Sequence, residues 1–171
     1  AHAFLCDDGE AGFSHACRVS LSAQARHLNR VAGAAGRGAG AFTVARGLVD
    51  CALYFPGRAN RLGGALAFLD RELDRQILPD GGHIERSPAR HLAILRTLIG
   101  IRGALVADHS DVPAGLQNAI DRMAPMLRAL RLGDGGLVQI NGGGMADAAE
   151  IDTVLAQAGS TGRALTGAPH S

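Results

Sequence analysis

Tryptophan and lysine are both missing from this 171-residue chain, and aromatic residues make up only 4% of it. A core without aromatics must be filled by leucine, isoleucine, valine and alanine. That suits packed helices better than a β-sandwich, where aromatic and β-branched side chains are usual. Hydrophobic residues reach 47%, enough to bury a core in one domain of this length and too many for a disordered chain. The charges nearly cancel, leaving a net +1, so no global field draws the chain to nucleic acid or to an anionic membrane. All 17 basic residues are arginine. Biased coding composition explains this most simply; the functional reading is a preference for carboxylate or sulfate ligands, which a guanidinium grips with two hydrogen bonds.

Cysteine is sparse as well. Cys6, Cys17 and Cys51 form no CxxC pair and are odd in number, which indicates neither a zinc site nor a disulfide framework. No metal or cofactor is expected. The longest apolar stretch, His91 to Ala107, is interrupted by Arg96 and Arg102, so no membrane span is expected. No signal peptide or initiator methionine is visible, and the opening AHAFLCDDGE reads as the middle of a longer sequence.

What is present is helical periodicity. Five or six helices are expected. The first runs from about His15 to Val31, and the second from about Ala41 to Phe55, stopped by Pro56-Gly57. The third covers about Asn60 to Leu78, where Leu62, Leu66, Leu69, Leu73 and Ile77 recur at helical spacing. Ser87 as N-cap and Pro88 at the first helical position open a fourth. The fifth begins at Asp111-Val112-Pro113 and continues to about Leu132, with a kink expected near Asp121 because of Pro125. A short sixth runs from Ala146 to Ala158. Asp80-Gly81-Gly82 and Asp134-Gly135-Gly136 each follow a helix and lie 54 residues apart. Either two helical hairpins repeat, with their turns at one end of the array, or a common turn sequence occurs twice.

The densest chemistry lies between Pro79 and Leu92, PDGGHIERSPARHL. In an extended backbone His83 and Glu85 would point to one side, so that a histidine able to carry a proton would sit beside a carboxylate able to orient it. The plainer reading pairs Glu85 with Arg86 or Arg90 and leaves His83 solvated. Arg90 and His91 fall in the first turn of the fourth helix, where an anion is favoured: Glu85 itself, or a carboxylate on a ligand. Asn141, in QINGGG, is a turn former that is also able to present its amide at a cleft. Gly36-Arg37-Gly38-Ala39-Gly40 lacks the preceding strand of a nucleotide loop and reads as a helix connector. No PCxxC follows His83-Ile84-Glu85, and neither HExxH nor GxSxG occurs.

The segment LDRELDRQILPDGGHIERSP, from Leu69 to Pro88, resembles the heparinase II/III family of polysaccharide lyases. QARHLNR at Gln24–Arg30, ALYFPG at Ala52–Gly57, Asn118–Gly144 and the closing APHS at Ala168–Ser171 are similar to the same family. The resemblance implies an all-α fold, a partial (α/α) toroid of antiparallel helix hairpins over residues 1–165, with 166–171 as a linker into a C-terminal β-sandwich of the same full-length chain. It implies a bacterial lyase acting by β-elimination on an acidic, uronate-containing polysaccharide or oligosaccharide, in the periplasm or cell envelope. The catalytic set would be His83, Glu85 and His91, with Arg86, Arg90 and Asn141 binding substrate. Arg90 stands where the family pattern has tyrosine, and no Asn-His pair is found in the second helix or its approach. The alternative implied is a non-catalytic, carbohydrate-binding member.

Overall fold

The structure is a computed structural model that describes residues 40–54, 58–142, 144 and 146–159, together with positions 19, 20, 23, 24, 27 and 38. Five helices are delimited among these residues: α1 Gly40–Tyr54, α2 Arg58–Gln76, α3 Pro88–Ala107, α4 Ala114–Ala129 and α5 Ala148–Gly159. The described residues form no strand, only two isolated antiparallel bridges, Ile77–His83 and Arg131–Leu137. The all-α expectation therefore holds. The expected His15–Val31 helix lies mostly outside the described residues; positions 19, 20, 23, 24 and 27 of it are described, and they are helical. Residues 166–171, expected as a linker, lie outside them entirely. No described helix is long and apolar enough to cross a membrane.

Two compact units are present, Ala1–Leu66 and Ala67–Ser171, and α2 runs through the boundary. In the first, α1 buries Ala41, Phe42, Ala45, Leu48, Val49 and Ala52, a stripe that recurs every three or four residues as one face of a helix must. Arg46 and Asp50 pair on the same helix at 2.8 Å. Cys51 is half-buried, and desolvation, then the neighbouring Asp50, pushes its thiol pKa up.

In the second unit α3, α4 and α5 pack on one another in all three pairings. α3 is the most extensively buried of the three. It buries Leu92, Ile94, Leu95, Leu98, Ile99, Ile101 and Leu105 around most of its circumference, which a helix flanked on several sides requires. α4 contributes Leu116, Ile120, Met123 and Leu127, and α5 contributes Ile151, Val154 and Leu155. Arg102, an interruption in the apolar run, is buried in this core. Its guanidinium donates to the carbonyls of Gln157 and Ala158 at the end of α5 and to Gln117 Oε1 of α4. The C-terminal end of a helix offers unpaired carbonyls and negative potential, so this charge is buried with partners. Arg96–Glu150, between α3 and α5, adds a surface pair at 2.6 Å.

The start of α4 differs from expectation. α4 starts at Ala114 rather than at Asp111, because Pro113 as N-cap has an extended backbone (φ −58°, ψ 137°) and proline disfavours helix at the residue before it. Pro125 lies inside α4, which continues through it as one helix. Both Pro125 and Asp121 are exposed, so the carbonyl that the ring leaves unbonded lies on the solvent side.

Candidate functional site

α2 and α4 both end in the same turn. After α2, the Leu78 N–H donates to the Gly82 carbonyl at 2.8 Å, the Gly81 N–H to Leu78 at 2.9 Å, and the Ile84 N–H to Gln76 at 3.0 Å. After α4, the bonds run from Leu132 to Gly136 at 2.9 Å, from Gly135 to Leu132 at 3.0 Å, and from Val138 to Leu130 at 3.0 Å. Each turn is locked by its aspartate: Asp80 Oδ1 accepts from the Gly82 N–H at 2.8 Å, and Asp134 Oδ1 from the Gly136 N–H at 2.9 Å. Gly81 and Gly135 take φ of +81° and +87°, where glycine is the least strained residue. The two DGG sequences are thus one structural turn used twice. They also meet, since the Asn141 amide nitrogen, just past the second turn, donates to the Arg86 carbonyl, just past the first, at 3.0 Å.

Equivalent positions of the two turns carry different residues. Leu137 is buried in the second, as a core-facing residue should be. Its counterpart His83 is equally buried, at 1% exposure, and its polarity is accommodated by a chain of hydrogen bonds. The Glu72 carboxylate can only accept, so the Gln76 amide turns its nitrogen to Glu72 Oε2, at 2.6 Å, and its oxygen to His83. His83 Nε2 donates to that oxygen at 2.9 Å, and Nδ1 accepts the Glu85 N–H at 3.3 Å. This arrangement fixes the neutral Nε2–H tautomer. Burial lowers the His83 pKa against the opposing pull of Glu85. His91, also buried, donates from Nε2 to the Met123 carbonyl at 2.9 Å, and its pKa is lowered by desolvation too.

The remaining expected site residues are ion-paired or bonded to backbone. Arg86 and Asp80 pair at 2.6 Å, which with the Gly82 N–H holds the Asp80 carboxyl below its usual range. Glu85 and Arg90 pair at 3.4 Å, the internal partnership that was one of the two readings of Arg90. Residues 84 and 85 form a turn rather than extended chain, so His83 is buried while Glu85 is exposed. Ser87 is the N-cap of α3, with Pro88 at the first helical position, but its hydroxyl caps nothing. Its Oγ is buried and without a hydrogen-bond partner.

A cleft of about 210 Å³ is lined by Gly82, His83, Arg86, Ser87, His91, Met126, Leu130 and Ile140. The structure thus gathers His83, Arg86 and His91 at one cleft, with Asn141 tied to its Arg86 edge; Glu85 and Arg90 do not line it. Met126, Leu130 and Ile140 escaped sequence reasoning. Only the 54-residue repeat carried a signal for Ile140, by placing residues after the second turn beside those after the first. Among the described residues no cluster of histidine, cysteine, aspartate and glutamate has the grouping to hold a metal ion.

No family model matches the chain, and no solved structure matches it. Over 151 residues, 88% of its length, it is 36% identical to FtsZ-localized protein C of Caulobacter vibrioides (strain NA1000 / CB15N). That relative is named for FtsZ. The chain covers 26% of it, about a quarter of its length. This finding overturns the heparinase II/III resemblance and what it implied: lyase activity, the carbohydrate-binding alternative, an acidic polysaccharide partner, a β-sandwich of that family, and a periplasmic or envelope location. The physical reason lies in the motif itself. PDGGHIERSP builds a helix-ending turn and the start of α3, and its aspartate, histidine, glutamate and arginine are engaged with one another or with the helices that the turn joins.

Proposed function

We propose that this chain is a helical module of a protein that associates with FtsZ, the polymer of bacterial cell division, and works at the site where FtsZ assembles. The observation that carries this reading is the 36% identity to FtsZ-localized protein C over 88% of the chain. The chemistry of the turn end supports a binding role. His83 is held neutral with both ring nitrogens bonded, and the flanking arginines are paired with Asp80 and Glu85. In this reading His83, Glu85, Arg86, Arg90, His91 and Asn141 shape the surface at the paired turns rather than transfer protons. The repeated turn supports a finer arrangement as well, in which the helices are successive hairpins of a partial (α/α) toroid with both turns at one end.

Co-sedimentation tests the association. Purified chain is expected in the pellet with FtsZ polymerised by GTP and in the supernatant when GTP is withheld. Equal amounts in the supernatant under both conditions would reject it.

A further inference from the structure

The buried Ser87 hydroxyl is the one side-chain polar atom among the described residues that is buried without a hydrogen-bond partner. Leaving a hydroxyl buried and unbonded costs free energy, so a group that accepts from it gains more than it would at an exposed serine. Ser87 also lines the cleft at the start of α3, whose first turn has no side-chain cap. The other walls are mostly apolar: Met126 and Leu130 from the end of α4, and Ile140 from beyond the second turn.

The charges around the cleft narrow the ligand. Arg86 is paired with Asp80 at 2.6 Å, and Arg90, in the same first turn, with Glu85 at 3.4 Å. His83 and His91 are held neutral by burial. An anion would therefore have to compete with carboxylates already in place. The volume, about 210 Å³, is below the roughly 300–1,000 Å³ of sites for drug-sized molecules, and suits one aliphatic side chain with its adjoining peptide group. Exposed apolar side chains also occur on the cleft wall and on the two turns beside it. Ile140 in its wall is 46% exposed; Ile84, next in the chain to His83, is 44% exposed, and Leu132, two residues past Leu130, is 47% exposed. A small metabolite would leave these uncovered, whereas a protein segment crossing the turns would cover them.

We propose that this cleft is an anchor site for a partner protein: it receives one uncharged aliphatic residue, whose main-chain carbonyl accepts the Ser87 hydroxyl hydrogen. The proposal rests on the reading of the chain as a protein-binding module, but not on FtsZ being the occupant.

Titration of the isotopically labelled chain with N-acetyl-leucine-N-methylamide, followed by amide NMR shifts, tests it. The expected shifts are at His83, Ser87, Leu130 and Ile140. Ser87→Ala should weaken the probe about fivefold, the magnitude of one neutral hydrogen bond. Ile140→Asp, at an exposed position that the fold tolerates, should abolish the shifts. N-acetyl-leucine, which carries a carboxylate, should bind more weakly than the amide. Shifts elsewhere or none, an unchanged affinity in Ser87→Ala or Ile140→Asp, or tighter binding of the carboxylate would each overturn the proposal. Failure of FtsZ co-sedimentation with intact probe binding would reject FtsZ as the partner and leave the cleft assignment standing.

Discussion

Ser87 holds the N-cap position of α3 and yet does not use its side chain to cap. Replacing an N-cap serine by alanine ordinarily costs about 1 kcal/mol, because a bond to the helix's free N–H groups is lost. Here no such bond exists, and the substitution removes a buried hydroxyl that lacks a partner. Ser87→Ala is therefore expected to leave stability unchanged or raise it by up to roughly 1 kcal/mol. Urea unfolding would measure this, and a loss near the ordinary cap value would contradict the geometry. The serine-proline signature at the helix start was legible in the sequence. The burial of the hydroxyl without a partner was not, because the cleft that Ser87 lines is closed by residues from the end of α4 and beyond the second turn, which lie far along the chain.

Among the elements, the repeated turn separates what local pattern conveys from what packing adds. The DGG spacing showed two turns, and the leucine and isoleucine periodicities of α2, α3 and α4 located those helices within a few residues. What differs between the turns is what lies behind each glycine. A Cβ at Gly81 would run into the Arg122 carbonyl of α4, whereas one at Gly135 would meet the Ala148 side chain at 3.1 Å. Both substitutions carry the strain of positive φ, and only the first also collides with backbone. Gly81→Ala is expected to destabilise by about 2–4 kcal/mol and Gly135→Ala by about 1–2. Equal losses in chemical denaturation would mean that the close approach to Arg122 is unimportant. The candidate site was legible as a cluster of chemistry-bearing residues, but its chemistry was misread. Spacing suggests which side chains share a face only if the backbone is extended, and residues 84 and 85 form a turn. Nothing local shows that Gln76, itself held by Glu72, waits beneath His83 to bond it, because that contact depends on the chain reversing after Leu78.

For the molecule as a whole, the two buried histidines set an acid limit. Both have folded-state pKa values below the ordinary 6.5, chiefly because burial penalises the charged ring. The unfolded chain takes up protons near pH 6.5 while the folded chain resists them, so the stabilising effect is complete above that pH. It is lost progressively as pH falls from about 6.5 toward the depressed values. Thermal unfolding of the chain should thus shift to lower temperature between about pH 7.5 and pH 5. His91→Gln, which retains a donor for the Met123 carbonyl, should flatten that dependence; an unaltered slope in this variant would remove His91 from the account.

The bond from Asn141 to the Arg86 carbonyl also carries a clock. Asn141 is exposed, sits at φ 50° and is followed by Gly142, whose missing side chain leaves the backbone nitrogen unhindered for attack on the asparagine amide. Ring closure to a succinimide with loss of ammonia, followed by hydrolysis, would replace the donor with a carboxylate facing a carbonyl oxygen, so the tie between the turns would turn into repulsion. The protein should therefore age at this position: on prolonged storage at mildly alkaline pH, peptide mapping is expected to find conversion to aspartate concentrated at Asn141 rather than at Asn118. The aspartate fraction of the aged protein, separated from the isoaspartate formed by the other ring opening, should behave like freshly made Asn141→Asp.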